Sequence, residues 1–182
     1  MVLDLIQHIR CNHALEHATI ALLVNRDDTA GIPVGGNSTV RGFYLFGNVT
    51  TQAIEECAAE ALQRLRRGEH RLAISPFCGT NFVVSATLGT AAAALALGQR
   101  DHLRRLPNAV LTVLGTLIAS QSIGRLVQEK LTTSPDIGGL QIRGISKRGW
   151  FGRTVHRIHT EFQQKNSHSQ SHSPTLPHTF NQ

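Results

Sequence analysis

Apolar positions change period several times along the chain. Val2, Ile6, Ile9, Ile20 and Val24 recur at helical spacing, predicting one helix over residues 3–24 with that stripe turned to a core. Polar residues Asn25-Arg26-Asp27-Asp28 end it, and residues 28–41 are turn-prone, with Gly31, Pro33, Gly35, Gly36 and Asn37. Residues 42–49 read as a strand. Thr50 or Thr51 then caps a helix over 52–67, whose apolar face is Ile54, Cys57, Ala58, Ala61, Leu62 and Leu65. Arg71 to Ser75 reads as a second strand, which makes a small strand-helix-strand unit, with a right-handed crossover if the strands are parallel.

The pattern then becomes uniformly apolar. Residues 82–98 and 107–124 carry no charge, and the linker between them holds Arg100, Asp101, His102, Arg104 and Arg105. Each stretch gives about 25 Å of helix, near the short limit for crossing a bilayer. Small residues recur at i+4 in both: Ala86, Thr90, Ala94 and Gly98 in the first, Thr112, Thr116, Ser120 and Gly124 in the second. Such stripes allow close helix approach, as in membrane helix pairs. A buried hairpin of a soluble bundle is the competing reading. Arg64, Arg66, Arg67 and Arg71 before the pair, with Arg125 and Lys130 after it, slightly outnumber the loop cations and place both ends in the cytoplasm. Beyond it, Leu140–Ile145 and Thr154–His159 read as paired strands across a turn containing Trp150. Residues 163–182 are Ser, His, Gln, Asn, Thr and Pro and read as a disordered tail. The expected fold is an α+β membrane protein in four parts: 1–81, a helix plus a small α/β unit; 82–124, a transmembrane helical hairpin; 125–162, a strand region; and 163–182, the tail.

Composition narrows the classes. The 182 residues leave room for one domain with a full core, or a small domain plus a membrane element. A formal charge of +6 permits anionic partners. No base-reading basic helix, aromatic-studded strand or zinc-finger spacing is present, so a nucleic-acid partner is not expected, whereas a lipid bilayer is. A protein partner is left open. Three scattered cysteines argue against a disulfide framework and for a reducing interior. The N-terminus does not read as a signal peptide.

The chemistry concentrates in His13-Ala14-Leu15-Glu16-His17. On a helix the histidines fall at i and i+4, with Glu16 on the same side. This H-x-x-E-H spacing offers two imidazoles for a metal and a carboxylate to act on water at that metal. All three fall within the apolar stripe, where polar groups need partners and charges need pairing or a metal. A hydrogen-bonded cluster without metal is the alternative.

Cys78 opens Cys78-Gly79-Thr80-Asn81 before the first apolar helix; it is a candidate ligand or stabilised thiolate, or else a small turn residue. Cys57 reads as core, and Cys11 points almost opposite His13. Glu55, Glu56 and Glu60 could supply a carboxylate ligand, but Glu56 and Glu60 read as a solvated face, with Glu60 able to pair with Arg64. His156 and His159 fall on opposite faces of a strand, so at most one joins a given site. His8 lies off the motif face. His168, His172 and His178 belong to the tail.

With these residues in hand, Asn-His-Ala-Leu-Glu-His-Ala-Thr at 12–19, Arg-Gly-Phe-Tyr-Leu-Phe-Gly at 41–47 and Ile-Ser-Pro-Phe-Cys-Gly-Thr-Asn at 74–81 resemble an uncharacterised membrane-protein family, seen mainly in cyanobacteria. The resemblance covers roughly residues 5–160. A broader set of bacterial membrane proteins, described as predicted metal-dependent enzymes, is also similar. It pairs a His-Gly-Ala-Glu-His run with a later His-x-x-Cys-Gly-Thr-Ser segment leading into a membrane helix. The resemblance implies a metal site at the membrane surface built from His13, His17 and Cys78. Ser75 stands where the broader pattern has a histidine, and serine is a poor zinc ligand; a site of His13, His17, Cys78 and water survives that change.

Three functions remain open. One is a membrane-bound zinc-dependent hydrolase, a peptidase being one form, with Zn²⁺ on His13, His17 and Cys78 or a carboxylate, and Glu16 as catalytic base. Another is a non-catalytic membrane scaffold or assembly protein with a closed structural metal site or a polar cluster. The third is a thiol enzyme using Cys78, with His13 or His17 as base and Glu16 as orienter.

Overall fold

The computed structural model describes residues 2–98, 102–134, 136–150 and 153–163. The expected tail, including His168, His172 and His178, lies outside them from residue 164 onward. The chain runs α1 (Val2–Val24), β1 (Gly35–Thr39), β2 (Gly42–Phe46), α2 (Thr51–Arg66), a 3-10 turn (His70–Ala73), α3 (Gly79–Leu97), α4 (His102–Val127), a π-helical turn (Gln128–Thr132), β3 (Leu140–Trp150) and β4 (Arg153–Phe162). The architecture is α+β. The strands form one antiparallel sheet in the order β1-β2-β4-β3.

Alternation puts Phe43, Leu45 and Ile158 on the inner face of the sheet, against Cys11, Leu15 and Ala18 of α1 and Ile54, Cys57 and Ala61 of α2. Tyr44 takes the outer face, beneath the Arg157 guanidinium. The α2 helix begins as its sequence demands: Thr50 is the N-cap and its hydroxyl accepts from the Ala53 amide at 3.2 Å. Gly42 carries φ +128°, and a Cβ there would collide with the Ile158 carbonyl, so only glycine lets β2 lie this close to β4.

Several expectations need correction. Arg71 to Ser75 is not a strand: its first part is the 3-10 turn, and no strand-helix-strand unit forms. Both edges of β2 are already paired, by β1 and β4, leaving no edge for that segment. The C-terminal strands do pair, and β4 joins β2 to complete the sheet. On α1 the expected core stripe is not the core face. Val2, Ile6, Ile9 and Val24 are exposed, whereas Cys11, Ala14, Leu15, Ala18 and Leu23 are buried. Residues 2–6 are exposed, and the core face of α1 combines Leu15 and Leu23 with small residues.

The α3 and α4 helices pack on each other and are each long and apolar enough to cross a membrane. Their contact uses Gly89 against Leu117 and Val113, and a Ser85–Ser120 hydroxyl bond of 2.6 Å. On α4 the expected stripe enters this contact through Ser120 and Gly124, while Thr116 is half-buried and Thr112 is exposed. On α3 the contact lies beside the expected stripe: Ala86, Thr90 and Ala94 are exposed. The candidate spans are only 6% and 11% buried within the chain.

Candidate functional site

Helical geometry sets His13, Glu16 and His17 on one side of α1, together with Ile6, Ile9 and Ile20. That side is the wall of an open pocket of about 530 Å³ rather than part of the core. Cys78 approaches from the opposite wall. It is the N-cap of α3, and its sulfur accepts from the Thr80 amide at 3.4 Å. His13 Nε2 lies 3.5 Å from Cys78 Sγ, and the ligand atoms of His13, His17 and Cys78 all fall within 4.8 Å of one another.

Both imidazoles are oriented from behind. His13 Nδ1 donates to the Thr132 carbonyl at 2.9 Å, and His17 Nδ1 donates to the Ala73 carbonyl at 2.8 Å. A carbonyl can only accept, so each Nδ1 carries the hydrogen and each Nε2 is left for a metal or proton. Such support from outside the ligand set is the usual second layer of a metal site.

Glu16 lies against β1 instead. The Ser38 hydroxyl donates to its carboxylate, and a Cβ on Gly36 would overlap that carboxylate. It is buried, and burial lifts its pKa above the ordinary carboxylate value despite the Ser38 hydrogen bond and the nearby histidines. Burial alone would raise the Cys78 thiol, but hydrogen bonds from His13, His17 and the Thr80 amide bring it down to about 5. Burial opposes the charge on His13, yet its contacts with Cys78 and Thr132 raise its pKa overall. Both shifts favour the charged forms of His13 and Cys78, which lie 3.5 Å apart. Two imidazoles and a thiolate suit a borderline-soft divalent cation such as zinc.

Other predicted candidates lie elsewhere. Cys11 is buried with its sulfur 3.5 Å from the Asp136 carbonyl, and Cys57 is core. Glu56 pairs with Arg26 and Glu60 with Arg64, while Glu55 is exposed on the same helix. His156 faces inward and contacts Thr51, His159 contacts Ser146 outside, and His8 stacks on Phe162.

Sequence reasoning missed the parts that hold the site. Gln128, fully buried in the π turn, accepts from the Ser75 amide and donates to the Ser75 carbonyl and to Asn81. Asn81 in turn donates to the Ser75 and Pro76 carbonyls, so the loop leading to Cys78 is clamped at both ends. Arg10 donates to the Lys130 and Thr133 carbonyls, fixing the π turn that presents Thr132 to His13. The Gly35-Gly36 doublet and a glutamine closing an apolar helix were the available signals. The Ala73 and Thr132 carbonyls left none in the side-chain sequence.

The family model described as Domain of unknown function (DUF6391) matches residues 8–145. An uncharacterized protein of Picosynechococcus sp. is 36% identical over 135 residues, covering 69% of this chain and 66% of its own length. The chain thus spans slightly less than two thirds of that relative. No solved structure matches it.

Proposed function

The chain belongs to the DUF6391 family, a domain of unknown function, and from that position we propose that it is a membrane-bound, zinc-dependent hydrolase. One observation carries the reading: His13, His17 and Cys78 converge within 4.8 Å, with both Nδ1 atoms committed to backbone carbonyls. The resemblance read from residues 12–19 and 74–81, to predicted metal-dependent membrane enzymes, would call on the same ligands. In this reading α3 and α4 cross the bilayer, which covers their apolar surface, and the flanking arginines keep both ends in the cytoplasm.

Zinc supplies a Lewis acid and lowers the pKa of water held on it to about 7. His13, His17 and Cys78 would hold it at the wall of the pocket. Glu16, oriented by Ser38, takes the proton from the attacking water and returns it to the leaving group, a role that a raised carboxylate pKa suits. The pocket leaves the substrate open; a peptidase is one form of this activity.

A closed structural site in a scaffold would need a fourth protein ligand, and among the described residues the cluster has three. The thiol-enzyme reading draws on the lowered Cys78 pKa and its contact with His13. There the orienter of His13 is the Thr132 carbonyl, not Glu16.

Elemental mass spectrometry on detergent-purified protein separates these readings. About one zinc per chain is expected, lost in the His13→Ala/His17→Ala variant. Glu16→Gln should keep zinc and lose hydrolysis. No zinc in the wild type after reloading, with Cys78 alkylated rapidly by iodoacetamide at mildly acidic pH, would replace the metal enzyme by the thiol enzyme.

A further inference from the structure

The pocket that holds His13, Glu16, His17 and Cys78 has apolar upper walls. Ile6, Ile9, Ile20, Val34, Phe77 and Leu131 build them. Several face outward to a degree unusual for large side chains in a water-soluble domain: Ile6 is 48% exposed, Leu131 66% and Phe77 83%. The apolar surface continues along the first turns of α1, through Val2, Leu3 and Leu5.

The position of two of these walls in the chain says what covers them. Phe77 stands two residues before α3, and Leu131 lies in the last turn of the span Arg104–Thr132. Both are the ends of the helices read here as membrane-crossing, so the pocket mouth lies where the hairpin leaves the bilayer. An apolar rim at that depth is buried among lipid headgroups and the upper acyl chains, as the apolar face of an interfacial helix is. In water the same rim would be a costly exposed patch.

We infer that the pocket takes the acyl chain of a membrane lipid, which enters sideways from the bilayer between α1 and the hairpin ends. The chain packs on Ile9, Ile20, Val34 and Phe77, and its carbonyl end reaches the polar floor. This rests on the hydrolase reading above and names its substrate class, an acyl lipid. Hydrolysis there adds water across the acyl bond: the water oxygen joins the carbonyl carbon and the bond to the alcohol or amine breaks. One proton passes through Glu16 to the departing group, leaving a carboxylic acid and a free alcohol or amine.

The test uses the full chain in phosphatidylcholine–phosphatidylglycerol liposomes doped with a phosphatidylcholine bearing a diazirine on one acyl chain. After irradiation, labelled residues are mapped by mass spectrometry and zinc is measured on the same sample. Label is expected on α3 and α4, and also on Ile20 or Val34 inside the pocket. In Ile9→Glu/Phe77→Glu the pocket label should fall about tenfold, with hairpin label unchanged as the folding control. Label confined to α3 and α4, or reaching only the outer face of residues 2–9, overturns the proposal. Zinc bound without pocket label defeats the lipid substrate and spares the metal site; pocket label without zinc supports lipid binding and defeats the hydrolase.

Discussion

Gly36 is the residue on which the placement of Glu16 depends. A methyl group there would occupy the space of the Glu16 carboxyl, so Gly36→Ala must push either β1 or Glu16 aside. Overpacking of this kind costs about 1–3 kcal/mol. Urea unfolding should show that loss, while zinc stoichiometry stays at the wild-type value because His13, His17 and Cys78 are untouched. Adding Glu16→Ala should recover most of the loss, since it removes the colliding group, and a double-mutant cycle reads the coupling directly. Glu16 itself carries a pH signature. Its folded pKa is raised by burial, so its contribution to stability is fully present below the ordinary value of 4.5 and is lost as pH rises through the folded value. Metal-free Glu16→Gln, uncharged throughout, should gain in thermal stability relative to wild type between acidic and neutral pH. A constant difference across that range would contradict the burial of the carboxylate.

Among the elements, the π turn after α4 has the largest share in building the site, and a single side chain makes it do so. Gln128 fills both hydrogen-bonding roles toward Ser75 and donates to Asn81, which fixes the approach to Cys78. Gln128→Ala should leave the two histidines in place and loosen the sulfur. Zinc affinity should drop by about 10–100-fold, the usual effect of losing a group behind a ligand. Competition against a chromophoric chelator measures it; an unchanged affinity would mean the loop holds Cys78 without Gln128. This element was invisible beforehand because its meaning lies in contacts 47 and 53 residues away along the chain. By contrast α2 was legible to within a residue, since its apolar face, N-cap and polar end all agree. The α1 helix was legible as a helix but not in its orientation. Its buried face mixes Leu15 and Leu23 with small and polar residues such as Asn12, Ala14 and Thr19, while Ile6, Ile9 and Ile20 line a pocket. The β1 strand, Gly-Gly-Asn-Ser-Thr, has no apolar alternation to announce it, and only pairing with β2 makes it a strand.

At the scale of the whole molecule, the site joins parts that are distant in sequence. Helix α1 brings His13, Glu16 and His17; β1 brings Ser38; the 75–81 loop brings Cys78; and the π turn brings the Thr132 carbonyl. The motif on one helix could be read because its members are four residues apart. The convergence of Cys78 on it could not be derived from spacing, because it depends on α1 lying across both the sheet and the hairpin ends. Asn12 shows how that placement is held: its amide donates to the Thr39 and Val40 carbonyls, and its oxygen accepts from Thr160 on β4. A ligand bound where so many segments meet is linked to global unfolding. Free zinc at about 1,000 times its dissociation constant should stabilise the folded state by about 4 kcal/mol. The linkage also has a pH window. In the proposed site zinc would displace the proton from His13, whose pKa is raised above its usual 6.5, whereas the Cys78 thiol is lowered to about 5. As pH falls through the raised His13 value, zinc affinity should drop about tenfold per pH unit for that one proton, so the thermal gain from zinc begins to shrink above pH 6.5. Below about 5 the thiolate is lost as well and the fall steepens. His17→Ala should abolish the gain at every pH. A zinc-induced shift in melting that stayed flat through the His13 window would mean that His13 does not carry the metal.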